Sequence, residues 1–441
     1  MKKFFTTIKN IYSIEDLRTR IINTIGFLLI FRLGSFVVLP GVDPENLAGS
    51  TGGILDFLNI FVGGAFNRAS IFALGIMPYI SASIVIQLLT VAVPYFQKLQ
   101  KEGDSGRKKM TQITRVLTIG ITLAQGISYV STQIVSQGAV VPGLSTGVFL
   151  TSAVIIVTTG TMFCMWLGEK ITDKGIGNGI SMLIMIGIIA GFPGALIKEA
   201  VAKGMGNALL FVIEMVALFF VVMATVMLTQ AVRKIPVQYA KQVIGNKVYG
   251  GQRQYIPLKV NSSGVMPIIF AQALMFIPGM VAGLWSDNSD LANTIGNTFA
   301  DITSWQYNVV FGGLIILFTF FYTAITVNPN DIADNLKRNG GFVPGIKPGK
   351  QTSEYIDTIL TRITAPGSLF LAIVAIMPAF AAMAGVTIEF SYFYGGTSLL
   401  IMVGVILDTL QQIESYLLMR HYEGMMKGGR VKGRSQNIAV A

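Results

Sequence analysis

A single histidine, His421, and a single cysteine, Cys164, are all that this chain offers to imidazole or thiolate chemistry. Histidine-based catalysis has almost nothing to work with, and Cys164, set in an apolar run, excludes an intrachain disulfide and a thiolate metal site. The sequence has no GxxxxGK(S/T) phosphate loop, no HExxH zinc helix and no credible nucleophile–base constellation. The glycine-rich GIGNGIS, Gly175 to Ser181, lacks the strand that precedes a dinucleotide site and reads as a tight turn and helix start. These absences point to a non-enzyme with no cofactor and no metal. What remains are polar residues embedded in apolar stretches: Ser81, Gln125 and Gln272, and, in a shorter segment, Asp56 and Asn59. Polar groups at membrane depth are costly unless they bond to one another or line a cavity, so the chemistry on offer is reversible hydrogen bonding between helices.

The elements that must hold these residues follow from composition. Hydrophobic residues are 52% of the 441 and charged residues 12%, against about 25% charged in soluble domains. With a mean hydropathy of +0.63 this is a polytopic, all-α membrane protein. Apolar runs of the required length give ten spans, at roughly 21–39, 71–93, 113–134, 148–168, 178–197, 208–230, 263–284, 307–327, 367–385 and 393–417. The segment from Ile54 to Phe66 is too short to cross, and glycines join it to the second span. A half-length helix of this kind must be sheltered by protein or line a cavity, since lipid offers its ends no partners. It suggests a movable stopper in a channel or transporter.

An even number of spans puts both termini on one side. With the N-terminus cytoplasmic, all 33 Lys and Arg except Arg32, Arg68, Lys198 and Lys203 fall on the cytoplasmic side, as the positive-inside rule demands. The N-terminal segment is basic and amphipathic without the apolar core of a cleaved signal, so the first span doubles as the targeting signal. Near the spans, Arg32 is expected to snorkel to the outer surface, Glu214 lies in the sixth span and Asp408 toward the cytoplasmic end of the tenth. No proton relay is apparent.

Two cytoplasmic loops are longer than topology needs. In the first, about 231–261, Ile235, Val237 and Tyr239 alternate with polar residues, Gly245-Asn246 can turn, and Val248-Tyr249 begin a return strand, which predicts a β-hairpin. The second, about 328–365, has a short helix, the turn FVPGIKPG, and another helix that Thr352 or Ser353 is placed to cap. Their positive charge suits an acidic partner or ribosomal RNA.

Six segments then resemble one family. They are RASIFALGIMPYISASIVIQLL (Arg68 to Leu89), KEGDSGRKK (Lys101 to Lys109), GTMFCMWLGEKITDKGIGNGIS (Gly160 to Ser181), PLKVNSSGVMPIIFA (Pro257 to Ala271), NPNDIADNLKRNGGFVPGIKPG (Asn328 to Gly349) and YGGTSLLI (Tyr394 to Ile401). Together, and in this order, they resemble the SecY family of bacterial protein-conducting channels. The resemblance implies two inverted five-helix halves, 1–200 and 201–441, closing like a clamshell around an hourglass pore. It implies a plug helix at about 54–66, with Ile54, Leu55, Phe57, Leu58, Ile60 and Phe61, set against a ring of Ile76, Ile80, Ile184, Ile269 and Ile401. Ser81, Gln125 and Gln272 resemble the polar cluster of a lateral gate toward lipid, and Arg233, Lys241, Arg253 and Lys347 the docking positions for a SecA motor ATPase or a translating ribosome.

Further implications are SecE-like and SecG-like membrane subunits, signal sequences and nascent polypeptides as substrates, and a place in the cytoplasmic membrane of a bacterium. A small-solute secondary transporter built on an inverted repeat is the rival reading; it would bury ionisable groups near its midplane, and these are scarce here. An intramembrane enzyme is the second. The family usually has arginine where this chain has Lys347, which leaves a point charge in place of a bidentate fork. The expected outcome is that Lys347→Glu impairs translocation in a reconstituted assay more than Lys427→Glu does; equal effects refute the ranking.

Overall fold

The computed structural model describes residues 14–43, 47, 59, 61–239, 242–244, 247–249, 253–272, 274–275, 298, 301 and 303–427. The chain begins with α1 (Glu15–Gly34), whose first turn carries Glu15 and Asp16, charges that suit a helix N-terminus. This helix ends five residues before the expected 39. A Cβ on Gly34 would meet the Phe72 ring at 2.0 Å, so helix and ring are already in contact, and the next residues form bridges, Val38 to Ser70 and Val42 to Val140, in place of another turn.

The second expected span also starts late. Residues 71–76 are turns, with Gly75 at φ +52, and α2 runs only from Met77 to Ala92 with Pro78 in its first turn. Pro94 opens α3 (Pro94–Lys101), bent 103° from α2. Proline explains the break, because it removes the N–H that would continue the ladder. Then follow α4 (Asp104–Tyr129), which runs on into a π-helical turn Val130–Val135, α5 (Thr146–Lys174) and α6 (Gly179–Lys203). The turn between α5 and α6 is the predicted one: Asn178 Oδ1 caps α6 by accepting from Ile180 N at 3.1 Å and Ser181 N at 3.3 Å.

After α7 (Ala208–Gln230) come β1 (Val232–Tyr239), β2 (Gln242–Ile244), β3 (Lys247–Tyr249) and β4 (Arg253–Lys259). β1 pairs antiparallel with β4, from Val232 opposite Lys259 to Gln238 opposite Arg253, and β2 pairs with β3. The return strand across from β1 is thus β4, whereas Val248 and Tyr249 pair locally; Gly245 and Asn246 lie outside the described residues. The remaining elements are α8 (Trp305–Thr326), α9 (Pro329–Arg338), β5 (Gly341–Phe342), α10 (Lys350–Met383), α11 (Ile388–Ser391) and α12 (Gly396–Lys427).

α10 starts at Lys350, ahead of both expected caps. Thr352 Oγ1 instead donates to Lys347 O (2.9 Å) and Ser353 Oγ to Asn330 Oδ1 (2.7 Å), fastening the preceding turn and α9 to the helix. β5 pairs with the end of β1, at Gln238 with Phe342 and Tyr239 with Gly341, so both extended loops share one sheet of order β4-β1-β5. Ile235 and Val237, the alternate residues of β1, pack with Leu258, Leu336, Val343, Ile356 and Leu360 beneath it.

Among the described residues seven helices are long and apolar enough to cross a membrane, or eight if α2 and α3 form one span. Of the expected spans, 263–284 is described only at 263–272 and 274–275, as helix from 266, and the charged α1 is not among the seven. The helices meet closely where glycine allows. A Cβ on Gly179 would lie 1.9 Å from Gly168 O, at the contact of α5 and α6, whereas one on Gly194 would meet nothing. Gly179→Ala is therefore expected to cost about 1–3 kcal/mol and to lower the unfolding midpoint in detergent micelles, while Gly194→Ala leaves it unchanged or raises it. Equal midpoints would refute the close approach.

Candidate pore seal and lateral gate

Three separate elements bring apolar side chains to one place. Ile80 sits in the first turn of α2, Ile184 on α6 and Ile401 on α12, and all three belong to one apolar cluster with Phe61, Val62, Met182, Ile188 and Val405. Ile76, one turn before Ile80, packs in an adjoining cluster with Phe31, Phe72 and Leu183, and Ile80 touches both. A cavity of about 10 Å³ is walled by Phe61, Val62, Ile76, Ile80 and Ile184. That is at the lower limit for a single water, which in any case needs polar partners that these side chains lack. Ile269 is half-buried on the 266–272 helical stretch and lies outside this cluster.

Of the proposed plug residues, Ile54, Leu55, Phe57, Leu58 and Ile60 lie outside the described residues, and Phe61 is buried against the seal. The chain leaving it is held tightly. Asn59 Oδ1 accepts from Asn67 N at 3.1 Å. Gly187 of α6 lies against its backbone, since a Cβ there would be 2.2 Å from Phe61 O. Gly63, at φ +64, turns its carbonyl to two arginines: Arg32 Nη1 donates at 2.9 Å and Arg68 Nη2 at 2.7 Å, while Arg68 Nε donates to Gly64 O at 2.9 Å. Both guanidinium groups lie over the Phe36 ring, at 4.9 and 4.3 Å. Burial pulls the Arg68 guanidinium below its ordinary pKa. Arg32 therefore turns inward onto backbone, where the sequence suggested snorkelling outward.

Among the described residues no hydrogen bond joins the members of the expected gate trio to one another. Ser81 Oγ donates to Met77 O of its own helix at 3.1 Å, Gln125 is exposed on α4, and Gln272 Oε1 accepts from Thr397 Oγ1 at 2.9 Å. A different polar pair joins the second span to the eighth: Tyr322 of α8 donates its hydroxyl to Gln87 Oε1 of α2. Phe270 stacks against Phe318 at 5.6 Å and tilts against Tyr322 at 5.9 Å, joining the 266–272 stretch to α8. The cue that singled out Ser81, a polar residue inside an apolar span, applies equally to Gln87.

Of the docking positions, Arg233 and Lys347 are exposed on the two loops that the β4-β1-β5 sheet unites. Arg253 begins β4, and Lys241 lies outside the described residues. No group of three or more His, Cys, Asp or Glu side chains is placed to hold a metal among the described residues.

A model of the SecY family matches residues 70–410. The chain is 43% identical over 444 residues to the protein translocase subunit SecY of Streptomyces coelicolor, covering 96% of this chain and 100% of the relative. It superposes with a TM-score of 0.61, at 17% identity and over 94% of this chain and 95% of the other, on a SecY protein whose plug domain is described as stabilising the closed translocation channel and maintaining a membrane seal. On the canine Sec61 of a ribosome-channel complex from the endoplasmic reticulum the TM-score is 0.58 at 16% identity, again over 94% and 95% of the two chains.

The link from Gln87 to Tyr322 is testable without any functional assay. A double-mutant cycle of Gln87→Leu and Tyr322→Phe, read by unfolding in detergent micelles, is expected to give a coupling of about 0.5–1.5 kcal/mol. Zero coupling means that the amide and the hydroxyl do not meet.

Proposed function

The chain belongs to the SecY family, and from that premise we infer that it is the channel subunit of a protein translocase, a multi-pass membrane protein that conducts unfolded polypeptide and performs no covalent chemistry. The observation that carries this reading is the seal: the apolar side chains of Ile76, Ile80 and Ile184 wall a cavity too small for more than one water, and Ile401 of α12 packs in one apolar cluster with Ile80 and Ile184. Such a constriction excludes ions by dewetting, yet side chains from separate helices can part around a passing chain. Ile76, Ile80, Ile184 and Ile401 form the ring, with Ile269, outside the packed cluster, as its fifth member, and residues 54–66 form the plug that Gly63, Gly187, Arg32 and Arg68 help to seat.

Ten spans are arranged as two inverted halves, 1–200 and 201–441, with both termini in the cytoplasm of a bacterium; the distribution of Lys and Arg supports this orientation. Apolar segments and signal sequences leave sideways between α2 and α8, which the neutral hydrogen bond from Tyr322 to Gln87 joins. The joined basic loops, with Arg233, Lys241, Arg253 and Lys347, receive a SecA motor or a ribosome. SecE-like and SecG-like subunits complete the assembly in the cytoplasmic membrane.

The test is crosslinking in membranes from a photoreactive residue at Ile80 or Ile269 to a stalled secretory chain, with the exposed Ile213 of α7 as the lipid-facing control. Adducts at both pore positions and none at Ile213 are expected. Their absence with an active motor bound would sink the ring assignment and favour a solute transporter.

A further inference from the structure

The seal does not use a buried charged cluster that lies elsewhere among the described residues. At the outer end of α6, Lys203 Nζ lies 2.8 Å from Glu214 Oε1 of α7 and 3.5 Å from Glu199 Oε1, one turn back on its own helix. It also donates to Gly385 O at 2.7 Å. Glu199 Oε2 accepts from Thr387 N at 2.8 Å and from the Thr387 hydroxyl. Tyr394 donates its hydroxyl to Glu214 O at 2.7 Å. Side-chain exposure is 12% for Lys203, 0% for Glu199 and 8% for Glu214. On the rim, Lys198 pairs with Glu389 at 2.6 Å. One ammonium and its carboxylates thus lash α6 to α7 and to the 385–394 segment that leads into α12.

We propose that Lys203 is a positioning residue: it fixes α6 against α7 and the start of α12, so this side of the seal stays in place while the α2–α8 side parts. Two observations support the assignment. Ile184 lies on α6, whose end this cluster holds, and Ile401 on α12, which follows the 385–394 segment that the cluster also holds, with Phe192 of α6 packed edge-on against Phe393 at 5.1 Å. The contrast in bonding is the second. The α2–α8 seam has one neutral hydrogen bond, whereas the Lys203 side has several bonds to charged groups, each of which is stronger. Removing Lys203 leaves two buried carboxylates facing each other without their counter-ion, a change that such sites do not absorb quietly. The proposal rests on the channel reading for the direction of parting, but the positioning of the seal does not.

The experiment uses the full chain in proteoliposomes, with Cys164 buried and so silent to thiol reagents. A short bis-maleimide bridges either Lys198→Cys with Glu389→Cys or Gln87→Cys with Tyr322→Cys. Bridging the first pair is expected to leave translocation of a secretory protein within about twofold of the unbridged protein, and bridging the second to lower it about tenfold or more. Separately, Lys203→Met is expected to raise potassium leak about threefold or more, and Lys203→Arg to restore the seal. Because Lys203→Met alone risks misfolding, the neutral triple variant Lys203→Met, Glu199→Gln, Glu214→Gln is measured beside it and is expected to leak as well.

The proposal is overturned if the first bridge blocks translocation as the second does, or if the triple variant seals like the wild type. If neither bridge affects translocation, it is the parting of α2 from α8 that fails, and the leak measurement still decides the role of Lys203.

Discussion

Lipid accepts and donates no hydrogen bonds, and nearly every local choice in this structure answers to that constraint. The hydroxyls of the spanning helices bond backward within their own helix: Thr114, Thr118 and Thr122 donate to the carbonyls four residues before them, as do Thr225 and Thr319. Where the chain leaves helical geometry, at 61–76, loose carbonyls are met by Arg32 and Arg68 and by Tyr129 donating to Phe66 O at 2.6 Å, and the Asn67 N–H is met by Asn59 Oδ1. Irregular backbone survives at this depth because protein groups surround it. Only after those polar groups are consumed does a site remain that has none, and that site is the seal.

The constraint also explains what the sequence made legible. Spans are long because the membrane is thick, so α4 to α8, α10 and α12 could be located from apolar runs, with the ends displaced by several residues. The ends moved for reasons a hydropathy window does not contain: the Phe72 ring against Gly34, a positive φ at Gly75, Pro94 after Val93. In the loops, the alternation of Ile235 and Val237 correctly marked a buried strand face. That β5, from the second loop, would complete the sheet of the first was not legible, because the pairing of Gln238 with Phe342 leaves no local pattern.

Side-chain partners were the least legible part. Ser81 Oγ donates to Met77 O, four residues back on its own helix. Gln87 and Tyr322 are 235 residues apart, and although Gln87 stands out as a polar residue in an apolar span, nothing local pairs it with Tyr322. Arg32 misled for a related reason. A cation near the end of a span usually reaches for water, but here two backbone carbonyls, at Gly63 and Gly64, lay within reach of it and of Arg68.

The resulting molecule is asymmetric in how strongly its elements are joined. α6 is bound to α7 by charged contacts, and to the 385–394 segment that leads into α12 by charged contacts and by Phe192 packing against Phe390 and Phe393. α2 reaches α8 through one neutral bond. Interhelical hydrogen bonds in membranes average only about 0.6 kcal/mol, close to thermal energy, whereas a buried and hydrogen-bonded charge pair is far costlier to break than to keep. A wall that must open for diverse chains without chemical fuel of its own therefore has to concentrate its firm contacts on one side. On the proposed reading, the α2–α8 seam would be where the seal yields, an apolar segment replacing apolar contacts at the expense of the Gln87–Tyr322 hydrogen bond.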